Sequence, residues 1–392
     1  MNPGMRNLPI LVIAQALMVT AGVMAMALAA IIGSSLAPDK GLATLPIAMM
    51  VIGTAAASLP AALLMRKCGR RAGFVCGAVL GLIGSALCVV ALREFSFALF
   101  VAGHVLLGTY QGFANYYRFA AVETATPATA NRAISWVIAA GLVGAFAGPQ
   151  LGEWGRDWFS EALFSGSYLA QAALGAIALV LLSRLDMKPV TVASAEGARS
   201  VRELLAQPVM QVAILGAAIG YIVMIMVMTA TPLAMLGCGL TVNNVTPVIQ
   251  WHVFAMFAPS FFTGLLVTRF GAPRVMQAGF VLLAGQVLVS MTGNSFAHFM
   301  AGLVLLGVGW NFAFVGGTAL LTQAYRPAEQ MKVQALNEFT VFGLVAMATL
   351  SAGWLYDRFG WETLNLAVLP LLLVALAAAL RFEYSARRNQ RT

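Results

Sequence analysis

Residues 62–71 read ALLMRKCGRR, and residues 268–275 read TRFGAPRV. Each is a short basic loop around a glycine, Gly69 or Gly271, set between two apolar runs. A second pair of loops, GEWGRDWF from Gly152 and GWLYDRFGW from Gly353, is separated by the same interval to within one residue. Matched spacing at two separate places marks a duplicated unit, the plan on which alternating-access carriers are commonly built.

Outward from these loops the chain is apolar almost throughout. Of 392 residues, 60% are hydrophobic and 9% charged, more apolar side chain than one soluble core can hide. Runs of about 20 apolar residues predict an all-α membrane protein with twelve spans. They start near Leu8, Ala43, Gly73, Ser96, Ala133, Leu163, Val209, Pro247, Val275, Phe296, Gln334 and Glu362. The polar stretch 184–207 reads as a linker between six-helix halves 1–183 and 208–392. The first run, with Arg6 before it and Ala27-Leu28-Ala29 inside it, imitates a secretory leader but is too long for one. The net charge of +9 lies in loops and not on one polar face, which excludes nucleic acid as a partner. The four cysteines hold no C-x-x-C pair and suggest neither a disulfide framework nor a zinc site.

Orientation follows from the basic residues. One face carries Arg6, Arg66, Lys67, Arg70, Arg71, Arg132, Arg184, Lys188, Arg199, Arg202, Arg269, Arg274, Arg326, Lys332, Arg381, Arg387, Arg388 and Arg391. The other has Lys40, Arg93, Arg156 and Arg358. Both termini are therefore expected in the cytoplasm, with the chain in the cytoplasmic (inner) membrane.

The seventh span contains YIVMIMVMTATP, in which Met224 and Met228 are one helical turn apart while Met226 points nearly opposite. The eighth reads WHVFAMFAPS, with His252 and Met256 again four apart. Measured from the turn near residues 237–246, the first pair lies roughly 12 to 18 Å deep and the second about 8 to 14 Å, so the four could meet. M-x-x-x-M alone is expected about once by composition, H-x-x-x-M far less than once, and the plain alternative is gap-filling Met with one satisfied His. Thioethers and imidazole are uncharged, soft-to-borderline ligands that suit Cu(I) and not Mg, Ca or Mn. Cys238, with Met235 before it, could make the first contact with an incoming ion at the outer mouth; the other reading is a small residue in a Gly-rich turn. The methionines of the first two spans read as packing.

The whole chain resembles the major facilitator superfamily. ALLMRKCGRR is similar to its G-x-L-x-D-R-x-G-R-R loop, with Ala62 in place of the first Gly and Arg66 in place of the Asp. Gly264, Arg269 and Gly271 repeat the pattern, with Thr268 again replacing the Asp. Gly144-x3-Gly148-Pro149-x2-Gly152 resembles the antiporter signature of the fifth span, though small-xxx-small spacing is also ordinary helix packing. Within the superfamily, M-x-x-x-M followed by H-x-x-x-M resembles the CcoA-like copper importers. That resemblance implies a secondary carrier moving copper, as Cu(I), into the cytoplasm by alternating access, with Met224, Met228, His252 and Met256 as ligands. Copper would be cargo and no prosthetic group is expected. The expected partners are the copper ion, the lipid bilayer and a copper chaperone or copper-enzyme assembly protein, around a monomeric carrier. Similar relatives are associated with riboflavin and other organic solutes, so a riboflavin-like or drug-like carrier is one alternative. A membrane copper sensor or assembly factor without transport is another.

In the fourth span His104, Gly108, Gln111, Asn115 and Arg118 share one face at 100° per residue and predict a cavity-lining stripe. His104 reads either as a proton carrier or as a hydrogen-bonded structural residue. Arg118 with Glu123, and Glu338 with Arg326, read as gating pairs or as interfacial charges. No span centre carries Asp or Glu, which argues against a proton-driven drug exporter. No motif for nucleophilic catalysis or phosphate binding is present, so no enzyme activity is expected.

Overall fold

The computed structural model describes residues 3–39, 42, 45–187 and 199–389. Regular structure among them is helical, with no strand. The helices are α1 (Pro3–Leu36), α2 (Leu45–Arg93), α3 (Phe97–Ala114), α4 (Tyr117–Thr124), α5 (Ala130–Ala139), α6 (Gly141–Trp154) and α7 (Ser165–Leu182). They continue as α8 (Val201–Leu205), α9 (Pro208–Gly237), α10 (Val242–Phe257), α11 (Ser260–Phe270), α12 (Ala272–Thr292), α13 (Phe296–Leu321) and α14 (Gln330–Asn389).

Ten stretches among the described residues are long and apolar enough to cross a membrane. Two of them are too long to be single crossings. A straight helix of the 49 residues of α2 would run about 74 Å, against a hydrocarbon core of about 30 Å. Both α2 and the 60-residue α14 break at a glycine, Gly69 (φ 86°, ψ 164°) and Gly360 (φ 75°, ψ 178°). Each is two spans in one helix, which restores the twelve crossings expected. Gly271, at φ 86° and ψ 147°, separates α11 from α12 in the same backbone state as Gly69, a region that side chains other than glycine's hardly enter. The first pair of echoing loops is thus a physical repeat. The second is looser: Gly152 is buried within α6, whereas nothing lies near the Cβ position of Gly353 in α14.

Three other spans break in mid-course: α3 gives way to α4 at residues 115–116, α5 to α6 at Ala140, and α10 to α11 at Ala258 and Pro259. Pro259 has no N–H to continue the ladder.

The chain divides into two compact units. One comprises Met1–Ala133, Ala140–Ser194 and Gln334–Gly343, and the other Ile134–Ala139, Ala195–Val333 and Leu344–Thr392. The first unit packs Met24, Leu28, Met50, Cys88, Phe100, Leu107 and Tyr168 into one apolar cluster. The methionines of the first two spans that read as packing include two of these. Asn7 ties α1 to the end of α7, donating to Asp186 O (2.7 Å) and accepting from its N–H (3.0 Å).

In the second unit Glu329 anchors Arg199, receiving its Nε at 2.8 Å and its backbone N–H at 3.0 Å. Arg326 N–H donates to the same carboxylate at 2.9 Å. The neighbouring α8 opens with a capping box, in which the Ser200 backbone N–H holds the Glu203 carboxyl below the usual carboxylate range. Residues 188–198 of the expected linker lie outside the described residues.

Candidate functional site

Helix α13 is the common ruler of the second unit. Against it α9 runs antiparallel, with Gly220 at the level of Ala313 and Ala217 at that of Gly317. Helix α10 runs parallel, and Gly307 admits the His252 carbonyl so closely that an added Cβ would stand 2.7 Å from it. Counting along these contacts puts Met228 level with His252, and Met224 level with Met256. The depths expected from sequence therefore agree, although no hydrogen bond joins the two pairs among the described residues. Met224 (2% exposed), Met256 (7%) and His252 (0%) are buried, and Met228 is half-buried.

His252 is held in a defined state. Its Nδ1 lies 2.8 Å from Leu303 O, and a carbonyl can only accept. In the neutral ring Nδ1 carries the proton and Nε2 keeps a lone pair, which has no hydrogen-bond partner among the described residues. One turn on, Asn311 of α13 donates to Met256 O (2.7 Å) and accepts from Thr263 Oγ1 (2.7 Å). This knot stitches the α10–α11 break to α13.

Beside it stands an aromatic group that the sequence pattern did not single out. Trp310 and Phe314 stack at 5.0 Å and 13°. Tyr221 of α9 meets both edge-on, at 5.4 and 5.5 Å, and Phe257 of α10 meets Trp310 at 6.0 Å. Trp310 is 3% exposed and its Nε1 has no hydrogen-bond partner among the described residues. The signal was available: Trp310-Asn311 is a polar-edged pair inside an otherwise apolar span.

Cys238 is exposed and closes α9, its N–H returning to Ala234 O at 3.0 Å, while Met235 is fully buried. Only Cys238 is at the surface.

In the first unit the predicted stripe of the fourth span runs along α3 through His104, Gly108 and Gln111, and Arg118 lies on α4. His104 turns into the packing, with Nδ1 2.9 Å from Phe100 O and Nε2 3.2 Å from Tyr168 OH. Gly108 presses on the Met50 backbone, and Gln111 reaches Thr54 Oγ1 at 3.4 Å. The hydrogen-bond ladder is interrupted at residues 115–116, where Tyr116 N–H returns to Phe113 O at 3.2 Å, and Arg118 follows on α4.

The ion pairs also differ from expectation. Arg118 Nη2 is 2.6 Å from Glu338 Oε1, which also accepts from Asn337 at 2.7 Å. Glu123 pairs with Arg70 at 2.5 Å, and Arg70 donates on to Gln334 at 2.6 Å. Arg326 donates its backbone N–H to Glu329. Arg70, a loop residue in the basic motif, is buried (1% exposed) despite its charge.

Comparison with known proteins follows from this architecture. The crystal structure of the transporter FucP in the outward conformation superposes with a TM-score of 0.77 at 16% identity, covering 96% of this chain and 98% of that one. That of the human organic anion transporter MFSD10 gives 0.76 at 13% identity, over 97% and 100%. At such identities the likeness is one of fold. In sequence the chain is 41% identical to the riboflavin transporter RfnT of Brucella anthropi, over 95% of this chain and 94% of that protein. The Major Facilitator Superfamily profile matches residues 11–259 and 248–392. With twelve crossings, a duplicated glycine loop and matches of this extent, the chain belongs to the Major Facilitator Superfamily and is a multi-pass secondary transporter.

Proposed function

We propose that this transporter carries riboflavin or a closely similar flat aromatic solute across the cytoplasmic membrane. The observation behind the reading is the 41% identity, sustained over 95% of the chain, with a riboflavin transporter. The Met and His pairs suit copper, but the 41% identity with a riboflavin transporter favours the organic-solute alternative. The aromatic group of α9, α10 and α13 supports it, because stacked and edge-on rings favour a flat π-system. The distribution of basic loops supports cytoplasmic termini and a cytoplasmic linker at 184–207. Riboflavin-requiring cells expressing the protein should accumulate labelled riboflavin well above vector controls. Correctly inserted protein that gives no accumulation would reject this cargo.

Copper is kept as a second reading on one observation. His252 donates Nδ1–H to a backbone carbonyl and leaves Nε2 bare, the arrangement in which imidazole serves as a metal ligand. Two thioethers at matching depth and a third close by would complete a soft set. Radiocopper accumulation in the same cells tests it. Under this reading Met224→Leu, Met228→Leu and Met256→Leu each lower copper uptake, and Met226→Leu does not.

A further inference from the structure

Four buried polar side-chain atoms of the second unit, on Ser135, His252, Gln286 and Trp310, lack a partner among the described residues, and those of His252 and Trp310 have opposite chemistry. The Nε2 of His252 is an acceptor, and the Nε1–H of Trp310 is a donor. Both side chains are more than nine-tenths buried. Along α13 the level of His252 is set by Leu303, seven residues from Trp310; along α10, five residues separate His252 from Phe257, which touches Trp310. At 1.5 Å per residue the two atoms are about 7 to 10 Å apart in depth. These groups are closed off by packing in this structure, so an extended planar solute that parts the rings would meet apolar ring surface at one end and a hydrogen-bond acceptor at the other.

Resting on the flavin reading above, the geometry points to His252 and Trp310 as the specificity-determining residues for a fused heteroaromatic solute that carries an N–H on its edge. The imidazole Nε2 accepts that N–H, as it would from the imide of an isoalloxazine, and the indole Nε1–H donates to an oxygen or nitrogen of the solute. Neither atom has another partner among the described residues. A site built to hydrogen-bond a substrate N–H rejects the analogue that lacks it, because its own polar group is then left unpaired.

The substitution His252→Asn separates recognition from packing. An Asn amide N–H stands near the place of Nδ1–H and can still reach Leu303 O, while nothing replaces Nε2. Trp310→Phe likewise keeps the ring and removes the donor. Uptake of riboflavin and of 3-methylriboflavin, whose imide nitrogen bears no hydrogen, is measured for parent and variants at equal membrane abundance. The parent should prefer riboflavin by about tenfold or more in uptake efficiency, and His252→Asn should lose that preference while taking up the methylated analogue about as well as the parent does. Trp310→Phe should weaken both solutes alike. Undiminished discrimination by His252→Asn, or equal uptake of both solutes by the parent, overturns the assignment while leaving riboflavin as cargo. Failure of the parent to take up riboflavin overturns cargo and assignment together. Loss of copper uptake in His252→Asn with riboflavin handling unchanged also overturns it and favours the metal reading.

Discussion

Arg118 and Glu338 show how strongly a single pair can be required inside an apolar medium. The Glu338 side chain is fully buried, and its Oε1 receives both the guanidinium and Asn337. Removing one partner strands the other, and breaking a buried pair of this kind costs about 3–5 kcal/mol. Arg118→Ala should therefore lower thermal stability in detergent sharply, and the exchange Arg118→Glu with Glu338→Arg should recover part of the loss. Equal melting temperatures for Arg118→Ala and the parent would show that the pair contributes nothing. The two residues are 220 positions apart, so sequence revealed each as a buried charge but not as partners. Arg118 was read with Glu123 because they are neighbours on one helix, and only tertiary packing gives Glu123 to Arg70 instead. The candidate site divides in the same way. The spacing of Met224, Met228, His252 and Met256 was legible from helical periodicity. That Nε2 of His252 is bare was not, because it depends on which carbonyl of another helix the ring meets.

Elements were legible wherever solvent dictates them. Twelve apolar runs follow from the thickness of the bilayer, and the basic loop glycines from their repeated text. The break of α3 at residues 115–116 was not legible, because no Pro or Gly announces it, whereas Pro259 marks the break between α10 and α11. The glycine hinges give a prediction of sign as well as size. At Gly69, Gly271 and Gly360 alanine would be forced into a region nearly exclusive to glycine, at a cost of about 1–3 kcal/mol each. Gly353 sits in a regular stretch of α14 with nothing within 4 Å of an added Cβ, so Gly353→Ala should stabilise by about 0.5–1 kcal/mol through helix propensity. Thermal unfolding of the four variants in one detergent checks this. Similar shifts of one sign for all four would show that backbone conformation is not what these positions are selected for.

At the scale of the whole molecule, orientation in the bilayer rests on charge, and the protein carries its own reporters. Cys68 and Cys238 are both exposed, whereas Cys88 is buried. Cys68 stands in the basic loop beside Gly69, among Arg66, Lys67, Arg70 and Arg71. Cys238 ends α9, after a long helix that starts next to the linker and holds no basic residue. Basic loops stay on the cytoplasmic side, so Cys68 is expected inside and Cys238 outside. Variants retaining one of these cysteines, with the other three replaced by Ser or Ala, can be treated in intact cells with a maleimide that does not cross membranes. The Cys238 variant should be labelled at once, and the Cys68 variant only after permeabilisation. The opposite pattern would invert the topology, placing the linker and both termini outside. Labelling of both in intact cells would mean that Gly69 and Gly237 lie on one side of the membrane, which the twelve crossings forbid, since an odd number of them separates the two loops.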